Sequence, residues 1–201
     1  MVFKHAFVLT GSIASGKSTV SRLLELDNFK IIDADLVARE QLKLHTKEVI
    51  ELFGNEICEN GIINRKMLAK IIFNSKTQKE KLNFLLHPFI REEITKKANV
   101  LERLAKPYII DIPLFFEGGK YDCQMSVVVY SPYELQLKRL MRRDEITKND
   151  AQKKIASQID IEQKKKMADW VIDNSSSLKH LENETKKFIN FVREKYANIK
   201  I

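Results

Sequence analysis

A segment close to the amino terminus has two glycines, a lysine and a serine with the spacing G-x-x-x-x-G-K-[ST]. Its residues are Gly11, Ser12, Ile13, Ala14, Ser15, Gly16, Lys17 and Ser18. A predicted strand over 3–10 precedes it and a predicted helix over 17–26 follows it, which is the context that this motif needs to hold phosphate. Glycine lets the backbone approach phosphate oxygens closely, and successive N–H groups at the start of a helix attract anions. The segment therefore predicts a phosphate-binding loop rather than an accidental glycine turn.

The end of this loop carries three side chains suited to nucleotide chemistry. Lys17 can reach the β- and γ-phosphates, the Ser18 hydroxyl is suited to Mg²⁺, and Thr19 is placed to donate to an inner phosphate. Kinases, switches and motors all hold nucleotides in this way. The loop by itself therefore predicts a bound nucleotide but not the reaction.

Acidic residues lie at the ends of two further predicted strands. Asp33 and Asp35 follow the strand over 30–32, and Asp111 lies inside the apolar strand over 108–112. We expect Asp33 near the γ-phosphate, where a carboxylate accepts a hydroxyl proton or orients Mg²⁺. Asp35 is expected to cap the helix that follows it. Asp111 is expected to be an outer partner of the metal or of the loop serine.

Three arginines follow the fourth predicted strand. Arg139, Arg142 and Arg143 lie on a helical stretch that leads into the segment 140–167, which is rich in charged residues and poor in core residues. Guanidinium groups neutralise charge that develops on a transferring phosphoryl group. We expect a lid that closes over the phosphates, with a solvated surface helix as the alternative.

Short apolar runs alternate with helical patterns along the chain, which predicts an α/β fold with a parallel sheet. The predicted strands cover 3–10, 30–32, 108–112, 125–130 and 170–172. About 70 residues separate the second and third strands, far more than a simple crossover requires. We expect a helical substrate-binding insert at 39–105, a core formed by 1–38, 106–139 and 168–201, and a lid at 140–167. Pro88 is expected to kink a helix or to begin a new one.

The composition excludes several classes of protein. The chain has 201 residues, of which 44% are hydrophobic and 31% charged, as in a folded globular domain. It has no apolar run of membrane-spanning length, and Cys58 and Cys123 are too few for a disulfide framework, so we expect a cytoplasmic protein. The net charge of +8 predicts anionic ligands, with lysine runs such as 164–166 on solvated helix faces. Neither a nucleic acid nor a membrane is an expected partner.

Six short motifs, in their order along the chain, resemble those of the dephospho-coenzyme A kinase family. They are 9–20, 33–39, 86–91, 113–117, 136–144 with Gln158, and 168–174. The resemblance implies a P-loop NTPase fold with a five-stranded parallel sheet, a helical substrate subdomain and a lid. It implies an enzyme that phosphorylates the 3′-hydroxyl of dephospho-CoA with ATP and Mg²⁺. We expect a monomer or weak homo-oligomer.

The resemblance also implies roles for particular residues. It makes Asp33 the base, and it places Arg139 and Arg143 near phosphate and Asn174 on the adenine side of the nucleotide. His87 and Arg91 would belong to the substrate-side helices, although a packed histidine at a helix end is an equal alternative for His87. Glu117 would be either a substrate-side acid or the partner of a buried arginine.

The sequence departs from the family pattern at a few positions. Ser12 and Ala14 stand where glycine is common, which is tolerable if both keep a negative φ. Lys154 stands where arginine is common, and Ser175-Ser176 follow Asn174 in place of the usual pair. Lysine carries its charge on a single ammonium, whereas arginine presents a planar guanidinium with several N–H groups. A bidentate lid contact at position 154 is therefore weakened.

Two other functions compete with this one. The nearer is another small-molecule kinase with the same loop, such as a nucleoside monophosphate kinase, from which the 33–35 and 86–88 motifs distinguish the chain. The other is a nucleotide-dependent module that binds RNA through its basic faces, for which we expect a steep loss of binding with salt.

Overall fold

The computed structural model describes residues 2–59, 61–118 and 121–196. Its strands are β1 (Val2–Gly11), β2 (Lys30–Asp33), β3 (Cys58–Glu59), β4 (Ile62–Ile63), β5 (Tyr108–Asp111), β6 (Asp122–Tyr130) and β7 (Trp170–Asp173). The helices are α1 (Lys17–Leu26), α2 (Ala34–Leu44), α3 (Thr46–Phe53), α4 (Arg65–Asn74), α5 (Lys76–Glu102), α6 (Phe115–Gly118), α7 (Tyr133–Asp144), α8 (Lys148–Ala156), α9 (Ile161–Met167) and α10 (Leu178–Lys195). A short 3₁₀ turn covers Asn55–Ile57. None of the helices in these ranges combines the length and apolar character that crossing a bilayer requires.

The chain divides into two compact units. One contains the residues up to Asp33 and those from Ala98 onwards, and the other, here called the helical unit, is Ala34–Lys97. The helical unit begins and ends earlier in the chain than the predicted insert at 39–105. Its assignment to substrate binding stays a prediction.

The first unit is built on a five-stranded parallel sheet with the order β2-β5-β1-β6-β7. This confirms the predicted fold, with strand ends that differ from the expected ones by a few residues at most. Every residue of β5 is buried, as expected for a strand covered on both faces. Helices α1 and α10 turn apolar stripes towards the sheet, and the shared core includes Phe7, Leu24 and Phe188.

Because all five strands are parallel, their carboxyl ends meet at one edge of the sheet, where α/β proteins bind ligands. The loop after β1 lies at the centre of this edge. Asp33 ends β2 and pairs in register with Asp111 at the end of β5. On the other side, Tyr130 of β6 pairs with Asp173 of β7, directly before Asn174. The sheet therefore places residues that are distant in sequence beside the phosphate loop.

The helical unit has a separate apolar core that includes Val49, Ile57 and Leu86. It also contains a two-stranded antiparallel hairpin of β3 and β4, which the sequence pattern did not predict. Helix α5 continues through Pro88, so the expectation of a new helix at this proline is wrong. Proline removes one backbone donor, but buried leucines before it and Ile94 after it keep both parts of the helix packed.

The segment predicted as a lid folds into defined helices. Arg139, Arg142 and Arg143 all lie on α7, which continues to Asp144, so the predicted lid boundary at residue 140 falls inside a helix. A small apolar core of Leu137, Leu140 and Ala151 joins α7 to α8.

Candidate active site

The loop between β1 and α1 depends on glycine at both of its motif positions. Gly16 has a φ of 98°, and a Cβ at this residue would lie 2.1 Å from the side-chain amide nitrogen of Asn174. A Cβ at Gly11 would lie 2.6 Å from the hydroxyl of Ser15 and 3.0 Å from the carbonyl oxygen of Val129. Gly16 has no side chain to cap α1, and the N–H of Thr19 already donates to the Gly16 carbonyl oxygen at 3.0 Å, so the earlier N–H groups of this turn are the ones that suit an anion.

Ala14 has a backbone conformation that the sequence comparison did not anticipate. Its φ is 59°, so the condition of a negative φ, under which serine and alanine are tolerable in the loop, is met at Ser12 and not at Ala14. A left-handed alanine costs about 1–2 kcal/mol. Ala14 packs against the small core formed by α7 and α8, and this tertiary contact offsets the local cost.

Lys17 forms an ion pair with the carboxylate of Asp111, which is 5% exposed. The other carboxylate oxygen of Asp111 accepts a hydrogen bond from the Ser21 hydroxyl at 2.7 Å. Asp111 thus holds helix α1 and its lysine, and its expected role as an outer partner of the metal or of the loop serine stays a prediction. Ser18 and Thr19 lie exposed on the first turn of α1.

Asp33 lies exposed at the carboxyl end of β2. Its register partner on the neighbouring strand is Asp111, about 5 Å away by the spacing of paired strands. Residues paired in this way project to the same face of a parallel sheet, so Asp33 and the Lys17–Asp111 pair share one face. Asp35 lies inside the first turn of α2, which begins at Ala34, so its expected role as a cap before this helix is wrong.

Three side chains from distant segments hold the backbone of the phosphate loop. Asn174 is buried and donates from its side-chain nitrogen to the carbonyl oxygen of Ser15 at 2.8 Å. The side-chain oxygen of Gln158 accepts from the N–H of Ile13 at 2.8 Å, so this N–H, expected to bind phosphate, is already engaged. Lys164 donates to the carbonyl oxygen of Gly11 at 3.1 Å.

Lys164 contacts the phosphate loop, and the sequence analysis missed it. It was assigned to a solvated lysine run, but its side chain is 0% exposed and lies 2.7 Å from a carboxylate oxygen of Glu117. Glu117 therefore does partner a buried cation, which is a lysine rather than the expected arginine. A signal was present, because Lys164 follows the apolar Ile161 by three residues and so shares its buried helix face.

The predicted lid arginines have different surroundings. Arg139 donates to the Ser131 hydroxyl at 3.0 Å and to the carbonyl oxygen of Asn174 at 3.3 Å, which places it beside the loop end of the sheet. Arg143 is 57% exposed and pairs with Asp144, which Lys154 also contacts at 2.9 Å. A hydrogen bond from Arg143, and to a smaller extent one from Lys154, lowers the pKa of Asp144 to about 2. Asp144 therefore stays ionised at neutral pH and holds both cations together.

The chain around the end of β7 contains a group of hydrogen-bonded side chains centred on Asp173. Burial raises the pKa of Asp173, but hydrogen bonds from Ser175 and His180 outweigh burial and leave this pKa below its usual value. The Ser175 hydroxyl donates to Asp173 at 2.8 Å, and a ring nitrogen of His180 lies 3.1 Å from the same oxygen. Ser175, which departs from the family pattern, thus orders the chain immediately after Asn174.

His87 and Arg91 lie on α5 within the helical unit, and both are exposed. Their spacing of four residues places them on one side of the helix. The sequence expectation that His87 is packed at a helix end is wrong, since α5 continues for many residues on both sides of it. Their proposed contacts with the substrate stay predictions.

Comparison with known proteins decides the family. The family model for dephospho-CoA kinase matches residues 6–180. The chain belongs to the dephospho-CoA kinase family. The curated dephospho-CoA kinase of Sulfurimonas denitrificans is 46% identical over 200 residues, covering 100% of both chains. This confirms the resemblance that the six motifs indicate.

Solved structures of similar proteins agree with this family. A dephospho-CoA kinase from Campylobacter jejuni is 36% identical, with a TM-score of 0.69 over 95% of this chain and 98% of that one. The structure of TT1252 from Thermus thermophilus is 30% identical, with a TM-score of 0.80 over 93% of this chain and 97% of that one. The dephospho-CoA kinase fold thus covers nearly the whole chain.

Proposed function

We propose that the protein transfers the γ-phosphate of ATP to the 3′-hydroxyl of dephospho-CoA and releases coenzyme A and ADP. The observation that carries this proposal is the arrangement at one sheet edge of the phosphate loop, Lys17 and Asp33 in a chain of this family. The acceptor oxygen forms a bond to the γ-phosphorus while the bond from this phosphorus to the β–γ bridging oxygen breaks. The hydroxyl proton then needs an acceptor, and ADP leaves with the bridging oxygen.

The loop is well suited to hold the phosphates of ATP. The hydroxyls of Ser12 and Ser15 are buried, and within the described part of the chain neither has a hydrogen-bond partner. Phosphate oxygens are acceptors that suit such donors. Lys17 brings a positive charge to the same place, and its pairing with Asp111 holds it ready beside the loop. Thr19 is proposed to donate to an inner phosphate.

Mg²⁺ is the metal that fits this site. In the described ranges, no three His, Cys, Asp or Glu residues group closely enough to hold a metal ion by themselves. Mg²⁺ usually keeps several waters and binds through phosphates with one or two protein oxygens, so such a group is not required. We assign the exposed Ser18 hydroxyl as its protein ligand, with Asp111 as an outer partner, and the ion would neutralise phosphate charge.

Asp33 is proposed as the base. Its carboxylate is exposed at the carboxyl end of β2, on the same face as the Lys17–Asp111 pair. There it would accept a hydrogen bond from the attacking 3′-hydroxyl and take its proton during transfer. General-base assistance of this kind contributes a factor of about 10² to 10⁴.

The remaining roles divide between the lid and the acceptor side. Arg139 and Arg143 are proposed to stabilise charge on the transferring phosphoryl group, and Asn174 to lie on the adenine side of ATP. His87 and Arg91 are proposed to bind dephospho-CoA from the helical unit. Glu117 is proposed to assist on the acceptor side while it pairs with Lys164.

An assay of ADP release tests the function directly. Dephospho-CoA should support rapid release, whereas AMP, CMP and shikimate should support little. Preference for one of these alternatives would assign the chain to another small-molecule kinase activity. We further propose that the enzyme acts in the cytoplasm as a monomer or weak homo-oligomer, with no role for a nucleic acid or a membrane.

A further inference from the structure

Lys164 of α9 is a buried cation with two well-placed partners. Its side chain is 0% exposed, and its ammonium lies 2.7 Å from Glu117 and 3.1 Å from the carbonyl oxygen of Gly11. Removing an ammonium from water is costly unless a counter-charge and hydrogen bonds replace its hydration. Glu117 supplies the counter-charge. Another N–H of the ammonium donates to the carbonyl oxygen of Gly11, which is the first residue of the phosphate loop.

Holding the Gly11 carbonyl also sets the direction of a neighbouring N–H group. The peptide between Gly11 and Ser12 is trans, so the carbonyl of Gly11 and the N–H of Ser12 point in opposite directions. When Lys164 binds this carbonyl on one side of the loop, the Ser12 N–H is turned to the other side. A reversed peptide would present a carbonyl oxygen where the N–H now points, and it would repel an anion there.

The same arrangement recurs at the other end of the loop. Asn174 holds the carbonyl of Ser15, and the N–H in that peptide belongs to Gly16. Both anchoring donors are buried and come from segments far along the chain. The two contacts therefore hold two carbonyls of one loop, and each contact leaves an N–H group on the opposite side of its peptide.

We propose that Lys164 is a positioning residue for ATP binding, which orients the Gly11–Ser12 peptide of the phosphate loop with Glu117 as its counter-ion. This rests on the proposed function, because it concerns how the same loop holds ATP. Lys164 does not touch the phosphates. Its effect reaches ATP through the direction of one peptide group, so it acts on nucleotide affinity more than on the acceptor.

The competing explanation is that the pair only stabilises the fold. Removing Lys164 alone would leave the half-buried Glu117 without its counter-charge, which destabilises a protein for reasons unrelated to ATP. A second variant that also carries Glu117→Gln removes this problem, because both charges are lost together. Glutamine keeps an oxygen for the Ile159 N–H, which now donates to Glu117 at 3.1 Å.

The experiment compares Lys164→Met, the double variant Lys164→Met with Glu117→Gln, and Lys166→Met. Lys166 is an exposed lysine on the same helix, so its variant loses the same charge without a buried contact. ATP affinity is measured by calorimetric titration without acceptor, alongside Tm and the KM for dephospho-CoA. The titration measures ATP binding even if the wild type does not turn over dephospho-CoA. Such a lack of turnover would contradict the proposed function but would leave the role of Lys164 in ATP binding open to the test.

We expect the ATP Kd to rise about tenfold in Lys164→Met, with a smaller change in the KM for dephospho-CoA, because the Ile159 N–H still holds Glu117 in place. The double variant should recover much of the lost Tm but keep the weakened ATP binding. Lys166→Met should match the wild type. Wild-type ATP affinity in the double variant would overturn the proposal, and so would equal changes in the constants for ATP and the acceptor in Lys164→Met.

Discussion

The carboxyl edge of the sheet and the helical unit position their candidate ligand-binding residues in different ways. At the sheet edge, Lys17 is paired with buried Asp111, and buried side chains hold the carbonyls of Gly11 and Ser15. In the helical unit, His87 and Arg91 are exposed on a helix whose other side packs into an apolar core. One region fixes its polar groups through buried contacts, whereas the other presents its candidate residues on the exposed side of a packed helix.

This difference corresponds to the ligand proposed for each region. A triphosphate concentrates negative charge, and oriented dipoles stabilise such charge best when they need no rearrangement. The proposed acceptor is larger and less densely charged, and we propose that exposed side chains on a packed helix bind it. Four substitutions test whether the two regions separate in this way.

The largest effect is expected for Lys17→Ala. It removes the positive charge proposed to act on the transferring phosphates, so kcat should fall by orders of magnitude. Because Asp111 loses its counter-charge, Tm should also fall by a few degrees. Adding Asp111→Asn should recover Tm without recovering activity. Near-normal turnover in Lys17→Ala would remove the phosphate loop from its proposed role.

Asp33→Asn should lower kcat by a factor of about 10² to 10⁴, because asparagine keeps the shape but cannot take the hydroxyl proton. ATP affinity, measured by titration without acceptor, should stay near the wild-type value, since the loop holds the nucleotide. A role in orienting Mg²⁺ predicts a different result. In that case excess Mg²⁺ would restore much of the rate, and the assignment of Asp33 as the base would be wrong.

Arg143→Ala should lower kcat by about tenfold and raise the ATP KM by less, if its guanidinium acts on charge that develops during transfer. The matched control is Lys138→Ala, which removes an exposed positive charge from the same helix. An unchanged kcat would leave Arg143 as a surface residue paired with Asp144. This result would exclude it from the phosphate-binding region.

The effect of Arg91→Ala is expected to be confined to the acceptor, because this change should raise the KM for dephospho-CoA by up to about tenfold and leave kcat and the ATP Kd unchanged. The control is Lys96→Ala, an exposed change on the same helix that loses only a surface ion pair with Glu92. Initial rates at varied concentrations of dephospho-CoA give this KM, and calorimetric titration gives the ATP Kd. A matching increase in the ATP Kd would show that the two regions do not separate their ligands.

Much of the fold was predictable because its signals are local. The glycine motif between a strand and a helix located the phosphate loop, and α1 has the predicted ends at Lys17 and Leu26. Alternation of short apolar runs with helical patterns identified all five core strands. Their parallel pairing in one five-stranded sheet agrees with the fold that the family motifs imply. Within the candidate site, these local signals identified the residues of the glycine motif and the acids Asp33 and Asp111 at strand ends as candidates.

Other features depended on contacts that a local pattern does not carry. A lysine in a run of three predicts solvation, yet Lys164 is buried because Glu117 and the Gly11 carbonyl meet it from distant segments. Alanine disfavours a positive φ, yet Ala14 adopts one where the loop packs against α7 and α8. Proline disfavours a helix interior, yet α5 continues through Pro88 where both flanks are packed.

The sequence by itself determined which residues can bind phosphate and where the chain turns from strand to helix, since backbone preferences and side-chain chemistry act over a few residues. Only the tertiary structure decided which partner each charged side chain has. Asp111 meets Lys17 and Ser21, Gln158 meets Ile13, and Asn174 meets Ser15 because the parallel strands bring their carboxyl ends to one edge. Because these groups are removed from water at that edge, the stability of each buried charge or hydrogen-bond donor depends on the partner that the fold places beside it.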